Sequence, residues 1–198
     1  MSATAVSICS NALLRLGAQT IASLEESNDR ARIAANLYES VRDSTLRSHP
    51  WNCAVKRVVL APDTVAPAFD FTAQFTLPSD WLKTLQVGQD GFEVEYRTES
   101  GKIMASGTSL ALRYIWRNTV ESTWDAMLVE AMELAMAAAM AYGITKSASM
   151  VEVAQTALKA HMKLCRAADG QDDPPDTLGD FPLLQARFGG GYWGAPGR

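Results

Sequence analysis

Phe69-Asp70-Phe71-Thr72-Ala73-Gln74-Phe75 alternates apolar and polar residues with a period of two. That spacing turns one face of a β-strand inward and the other to water. The reading decides the fold class because the flanking segments keep a different period. Upstream, Val6, Cys9, Leu13 and Leu16 recur at helical spacing, as do Ile33, Leu37 and Val41 with Ala34 and Tyr38 alongside. Downstream, Leu128, Ala131, Met132, Ala135, Ala138, Ala139 and Tyr142 form a broad helical face, and Val153, Ala157, Leu158, His161, Leu164 and Ala168 form another. The sequence thus predicts an α+β fold. Its parts are a bundle of four helices (two N-terminal, two C-terminal), an inserted small antiparallel β-domain and an extended C-terminal tail. The corresponding ranges are 1–54 and 119–170 for the helices, 55–118 for the strands and 171–198 for the tail.

Punctuation supports these limits. Ser2 or Thr4 caps the first helix and Gly17 stops it; Ser27 or Asn28 caps the second, with Asp29 in its first turn and Pro50 as its stop. Ser122-x-x-Asp125 and Ser149-x-x-Glu152 resemble capping boxes for the third and fourth helices, which Gly143 and Gly170 would close. Many alanines let those two helices approach as an antiparallel hairpin. Between them and the N-terminal pair, Arg57–Leu60, Leu82–Val87, Phe92–Arg97, Lys102–Ala105 and Leu110–Trp116 read as further strands, in a meander or small sandwich.

The chain has 198 residues, 47% of them hydrophobic and 20% charged, with a net charge of −4. Such a composition excludes a wholly disordered chain, a collagen and a disulfide miniprotein, and the acidic balance argues against a protein that wraps phosphates. Cys9, Cys53 and Cys165 are widely spaced and odd in number, so neither a zinc site nor a disulfide framework is expected. The first residues lack the pattern of a signal peptide, and the apolar run Leu134–Thr145 is too short to cross a bilayer. A soluble intracellular protein is expected.

Motifs for chemistry are sparse. No Walker loop, GxGxxG, GxSxG or HExxH occurs. His49 reads as a helix-end residue and His161 as a core or interface residue, not as catalysts. Asp169, Asp172, Asp173, Asp176 and Asp180 lack the Glu and central Gly of a calcium loop and read as a solvated acidic linker. Glu25-Glu26 and Glu130/Glu133 read as solvated charge, and Met127, Met132, Met136 and Met140 as core filling. Trp51, Trp81, Trp116 and Trp124 read as packing anchors, with Leu13, Leu16 and Pro50 as further structural anchors. The tail differs: Phe181, Leu183, Leu184, Phe188, Tyr192 and Trp193 lie among prolines and glycines, a pattern for docking on a partner. No catalytic residue, metal or cofactor is expected.

Three segments together carry a family likeness. Ile8-Cys9-Ser10-Asn11-Ala12-Leu13-Leu14-Arg15-Leu16-Gly17-Ala18, followed by Ile21 and Ser23-Leu24, resembles the opening of the tail tubular protein A family, the head-to-tail adaptors of short-tailed bacteriophages. Ala34, Tyr38, Arg42, Leu46-Arg47, His49-Pro50-Trp51-Asn52, Ala54, Arg57 and Leu60 continue the likeness, and Leu77-Pro78-Ser79-Asp80-Trp81 resembles the family's Leu-Pro-x-Asp turn. Cys53 departs from the family's Phe. The likeness covers roughly the first 80 residues; the later helices match in order and character.

The resemblance implies a virion protein of the tail or neck, assembled in the host cytoplasm as a homo-oligomeric ring of twelve subunits. Such a ring joins the portal protein to the tail nozzle protein, can hold tail fibres, and lets DNA pass without specific binding. A ring needs heterologous interfaces that close, and an acidic channel wall would repel phosphate. Two other classes remain open at this point: an enzyme with an unrecognised site, and a nucleic-acid-binding regulatory helical protein.

Overall fold

The computed structural model describes residues 3–89 and 94–172, with side chains through 168. Its elements are α1 (Ala5–Arg15), α2 (Asp29–Ser48), β1 (Val55–Leu60), β2 (Ala73–Thr76), β3 (Trp81–Val87), β4 (Tyr96–Glu99), β5 (Lys102–Ala105), β6 (Leu110–Trp116), α3 (Ala126–Thr145) and α4 (Ala148–Asp172). The fold is mixed α+β, with four helices and two small antiparallel sheets among the described residues. One sheet runs β1-β6-β3 and the other β2-β5-β4.

Capping chemistry explains where the helices start. Thr4 and Ser7 form a reciprocal capping box on α1, Asn28 Oδ1 accepts from Ala31 N at 2.8 Å to open α2, and Asp125 Oδ1 accepts from Leu128 N at 2.7 Å to open α3. Asp125, not Ser122, is therefore the third cap; Ser122 lies in a 3-10 turn, Glu121–Thr123. Helix α4 begins before Ser149, where Ser147 Oγ accepts from Met150 N at 3.4 Å. Neither expected glycine stop operates. α3 runs through Gly143 to Thr145, and Lys146 takes the left-handed cap at φ 55°; α4 runs through Gly170 to Asp172.

Helix α3 is the one on which α1, α2 and α4 all pack. Leu128, Met132, Met136 and Met140 are fully buried along it, and the buried core draws on all four helices together with Trp51, Ala54, Leu82 and Ile115. His161 Nε2 lies 2.9 Å from Met127 O, while residues 146 and 147 join the opposite ends, so α3 and α4 run antiparallel. By length and composition α3 could cross a membrane. The run Leu134–Thr145 is thus the C-terminal part of a longer apolar helix, Ala126–Thr145, much of which is buried in the core. A second core joins the two sheets through Phe75, Ile103 and Ala105 on one and Val87, Leu112 and Tyr114 on the other.

Three faces differ from expectation. The buried stripe of α2 is Ala31, Ala34, Tyr38, Arg42 and Thr45, whereas Ile33, Leu37 and Val41 are half-buried. On α4, Val153 and Leu164 are exposed while Ala154, His161 and Cys165 are buried. The alternating run of phenylalanines forms a strand only from Ala73. Asp70 has φ 66°, which breaks the extended chain, and Phe69 is left exposed.

The helix–sheet junction and the candidate interaction surfaces

The chain passes from α2 to β1 through His49-Pro50-Trp51 and a 3-10 turn at Asn52–Ala54. His49, the C-cap of α2, is buried and stands edge-on to Trp51 with ring centroids 4.8 Å apart. Trp51 Nε1 donates to Thr45 O at 3.2 Å, so the buried indole has its polar atom satisfied. Pro50 is exposed, so its part is to stop the helix and not to anchor packing as expected. Leu13, Leu16 and Trp51 are buried.

Two carboxylates then fix the junction: Asp43 ties α2 to the end of β6, and Asp80 ties together the strands of the β1-β6-β3 sheet. Asp43 Oδ1 accepts from Arg42 Nε and Nη2 at 3.0 and 2.9 Å, and its Oδ2 accepts from Arg117 Nε at 2.7 Å. One acid on α2 thereby neutralises a buried neighbour and holds the residue that follows β6. Asp80 accepts from Lys56 Nζ at 2.7 Å and from Tyr114 Oη at 3.0 Å, and Lys56 Nζ also lies 3.5 Å from the Trp116 ring centre. Arg47 Nη1 donates to Leu82 O, a further link between α2 and β3.

Burial alone would raise the Asp80 carboxyl, but the hydrogen bonds from Lys56 and Tyr114 outweigh it and hold the group below the usual carboxylate range. The Tyr114 hydroxyl is pushed up to about 12 by burial and by Asp80. A depressed folded-state pKa stabilises the fold above the unfolded value, near 3.9 for Asp, and that contribution is lost as pH falls through the folded value. Asp80→Asn should therefore flatten the loss of melting temperature between pH 4.5 and pH 2.5. A residual slope is expected from Asp63, which Lys102 and Thr76 also hold low. Identical slopes in the two proteins would show that Asp80 carries none of this linkage.

A second cluster joins α1 to α3. Glu133 is buried, with Asn11 Nδ2 at 2.7 Å from Oε1 and Arg15 Nη2 at 2.9 Å from Oε2. Glu130 lies 3.6 Å from Arg15 and 3.7 Å from His161 Nδ1. The reading of this pair as plain solvated charge is thus corrected for Glu133. Glu26 is corrected too, since it closes the loop before α2 by accepting from Ala22 N, Ser23 N and Asn28 Nδ2.

The open surfaces are of two kinds. A groove of about 600 Å³ runs between α2 and α4, with Ser40, Ser44 and Ser48 on one wall and Lys159 and Arg166 on the other. The loop between β1 and β2 exposes Val65 and Phe69 beside Arg97 and Glu99 of β4. Phe181, Leu183, Leu184, Phe188, Tyr192 and Trp193, expected to dock on a partner, lie outside the described residues. Among the described residues, no three His, Cys, Asp or Glu side chains are grouped to hold a metal ion. Cys9 is buried, which pushes its thiol up to about 12 and away from nucleophilic chemistry at neutral pH.

Sequence reasoning missed Asp43, Arg117 and Glu133 as tying residues. The available signals were an acid beside Arg42 on a helix and an acid inside an apolar helical run, but their partners are distant in sequence. No family model matches the chain, and no curated protein matches it.

Proposed function

We propose that this protein is a structural head-to-tail adaptor of a short-tailed bacteriophage, not an enzyme. One observation carries the reading. The residues that resemble the tail tubular protein A family include several that fix the internal framework of the helices and of the β1-β6-β3 sheet. Asn11 and Arg15 come from the first matched segment, Arg42, Arg47, His49 and Trp51 from the second, and Asp80 and Trp81 from the third, with Arg47 of α2 placed 6.0 Å from the Trp81 ring centre. A likeness concentrated at a framework, not at a pocket, suits a protein whose work is to keep its shape within an assembly.

In this reading the four helices act as one bundle and the strands as an insertion. Copies close into a ring, of twelve by the family resemblance, between portal protein and nozzle protein. The acidic balance of the chain lets DNA slide through the channel without specific binding, the sheets offer a place for fibres, and the tail beyond Asp172 docks on the portal. The adaptor belongs to the virion neck.

Electron microscopy and sedimentation of the purified chain, alone and with the portal of its own phage, test this. Closed rings or portal-bound complexes are expected, and a chain ended at Asp172 should stay folded but lose portal binding. A full-length protein that remains monomeric and ignores the portal would overturn the proposal.

A further inference from the structure

Helices α2 and α4 both pack on α3, and between them lies the groove of about 600 Å³. Val41, Ala135, Leu158 and Met162 give it a half-buried apolar lining, while Lys159 and Arg166 stand exposed along its α4 wall. A surface of this kind fits an occupant with apolar anchors and acidic flanks. The chain itself carries such a segment. From Asp169 to Asp180 it holds five acids and no Lys or Arg, and Phe181, Leu183 and Leu184 follow at once. Between Glu152 and Asp169, by contrast, α4 holds Lys159, Lys163 and Arg166 and no acid. Two blocks of opposite charge are thus neighbours in the sequence. Helix α4 is described to Asp172, about 9 Å past Arg166 at 1.5 Å per helical residue. Residues 173–176 span up to about 13 Å when extended, enough to turn back and bring Asp176 to Arg166. The next step matches as well. Arg166 and Lys159 are about 10 Å apart along the helix axis, and the four-residue step from Asp176 to Asp180 covers about 12–14 Å when extended.

We propose that residues 173–184 fold back into the groove between α2 and α4 of their own chain. Asp176 and Asp180 pair with Arg166 and Lys159, which brings Leu178 over Met162 and Phe181 over Leu158. Pro174, Pro175 and Pro182 favour extended backbone, which lowers the entropy lost on docking. A tether this short holds the segment at an effective concentration on the order of millimolar, so even a weak contact is populated within one chain. The inference concerns the free subunit and does not rest on the adaptor reading; a portal that takes the tail displaces it from the groove.

Carbodiimide coupling of the full chain at low salt, read by peptide mass spectrometry, tests this, because it joins a lysine amine to a carboxylate only where the two touch. Lys159 should couple to Asp180 or Asp176 in preference to Lys163, which does not line the groove. In a mixture of isotope-labelled and unlabelled protein, the joined peptides should come from one chain. Arg166→Glu should lower the yield by about threefold or more, as expected for reversing a surface ion pair. Adding Asp176→Arg should restore it, with circular dichroism confirming the fold of both variants. Hydrogen exchange should show the amides of residues 178–184 slowed in the wild type and freed in Arg166→Glu. The proposal is overturned if the tail acids couple to Lys163 as readily as to Lys159, if coupling occurs only between chains, if Asp176→Arg restores nothing, or if these amides exchange at free-chain rates in the wild type. None of these outcomes decides portal binding, which is measured separately with the portal present.

Discussion

Trp51→Ala is expected to destabilise the protein by about 3–5 kcal/mol, the range for deleting a large aromatic side chain from a close-packed core. Trp51 is 1% exposed and belongs to the core built mainly by the helices, although it sits in the connection that leads to β1. Removing it opens a cavity where several elements meet, and the edge contact to His49 goes with it. Thr45 O would also lose its indole donor. Trp51→Phe separates these terms, because it keeps most of the apolar volume and loses the hydrogen bond; about 1–2 kcal/mol is expected there, part of it from the smaller ring. Urea unfolding followed by circular dichroism reads both. A loss below about 1 kcal/mol for Trp51→Ala would mean that the junction repacks freely and that Trp51 is not its anchor. For a domain whose total stability is about 5–15 kcal/mol, the expected loss is large enough to disturb any assembly built on it.

What the sequence disclosed follows from the range over which each interaction acts. Caps are local, so Thr4 and Asn28 could be read from their neighbours, whereas before α3 two candidate caps three residues apart let Ser122 be taken in place of Asp125. The alternation in β5 and β6 was legible because strand pairing and burial reinforce each other there. The stripe of α2 was misplaced by one residue because Ile33 and Ala34 are both apolar, and hydrophobicity alone does not choose between them. Close approach to α3 does, since a helix seats a small residue against its neighbour: Ala34 is fully buried, while Ile33 lies at the edge against Gly143. The run from Phe69 failed for a different reason. Its pattern is that of a strand, but the backbone at Asp70 turns left-handed, which a polar residue with a short side chain tolerates better than a branched one. The ion-pair framework was the least legible part. Asp43 and Arg117 are distant in the chain, and nothing in either neighbourhood announces the other.

Glu133 carries the second large effect, and its expected direction runs against exposure. Arg15→Ala should cost about 2–3 kcal/mol, although the Arg15 side chain is 38% exposed. It would leave the Glu133 carboxylate on the inner face of α3 with Asn11 as its remaining partner, and an uncompensated buried charge is what makes breaking such pairs costly. The figure lies below the 3–5 kcal/mol of fully buried pairs because water reaches the arginine. Glu133→Gln should cost less, about 1 kcal/mol. The amide keeps its bond to Asn11, while Arg15 already lies 3.6 Å from Glu130 and can turn to it. The two changes should therefore be non-additive: adding Glu133→Gln to the Arg15→Ala protein removes the stranded charge and should recover stability. A double-mutant cycle by urea unfolding measures that coupling. If Glu133→Gln alone costs more than Arg15→Ala, or if the double variant loses the sum of both, then the pair adds net stability instead of merely compensating a charge that α3 has taken out of water.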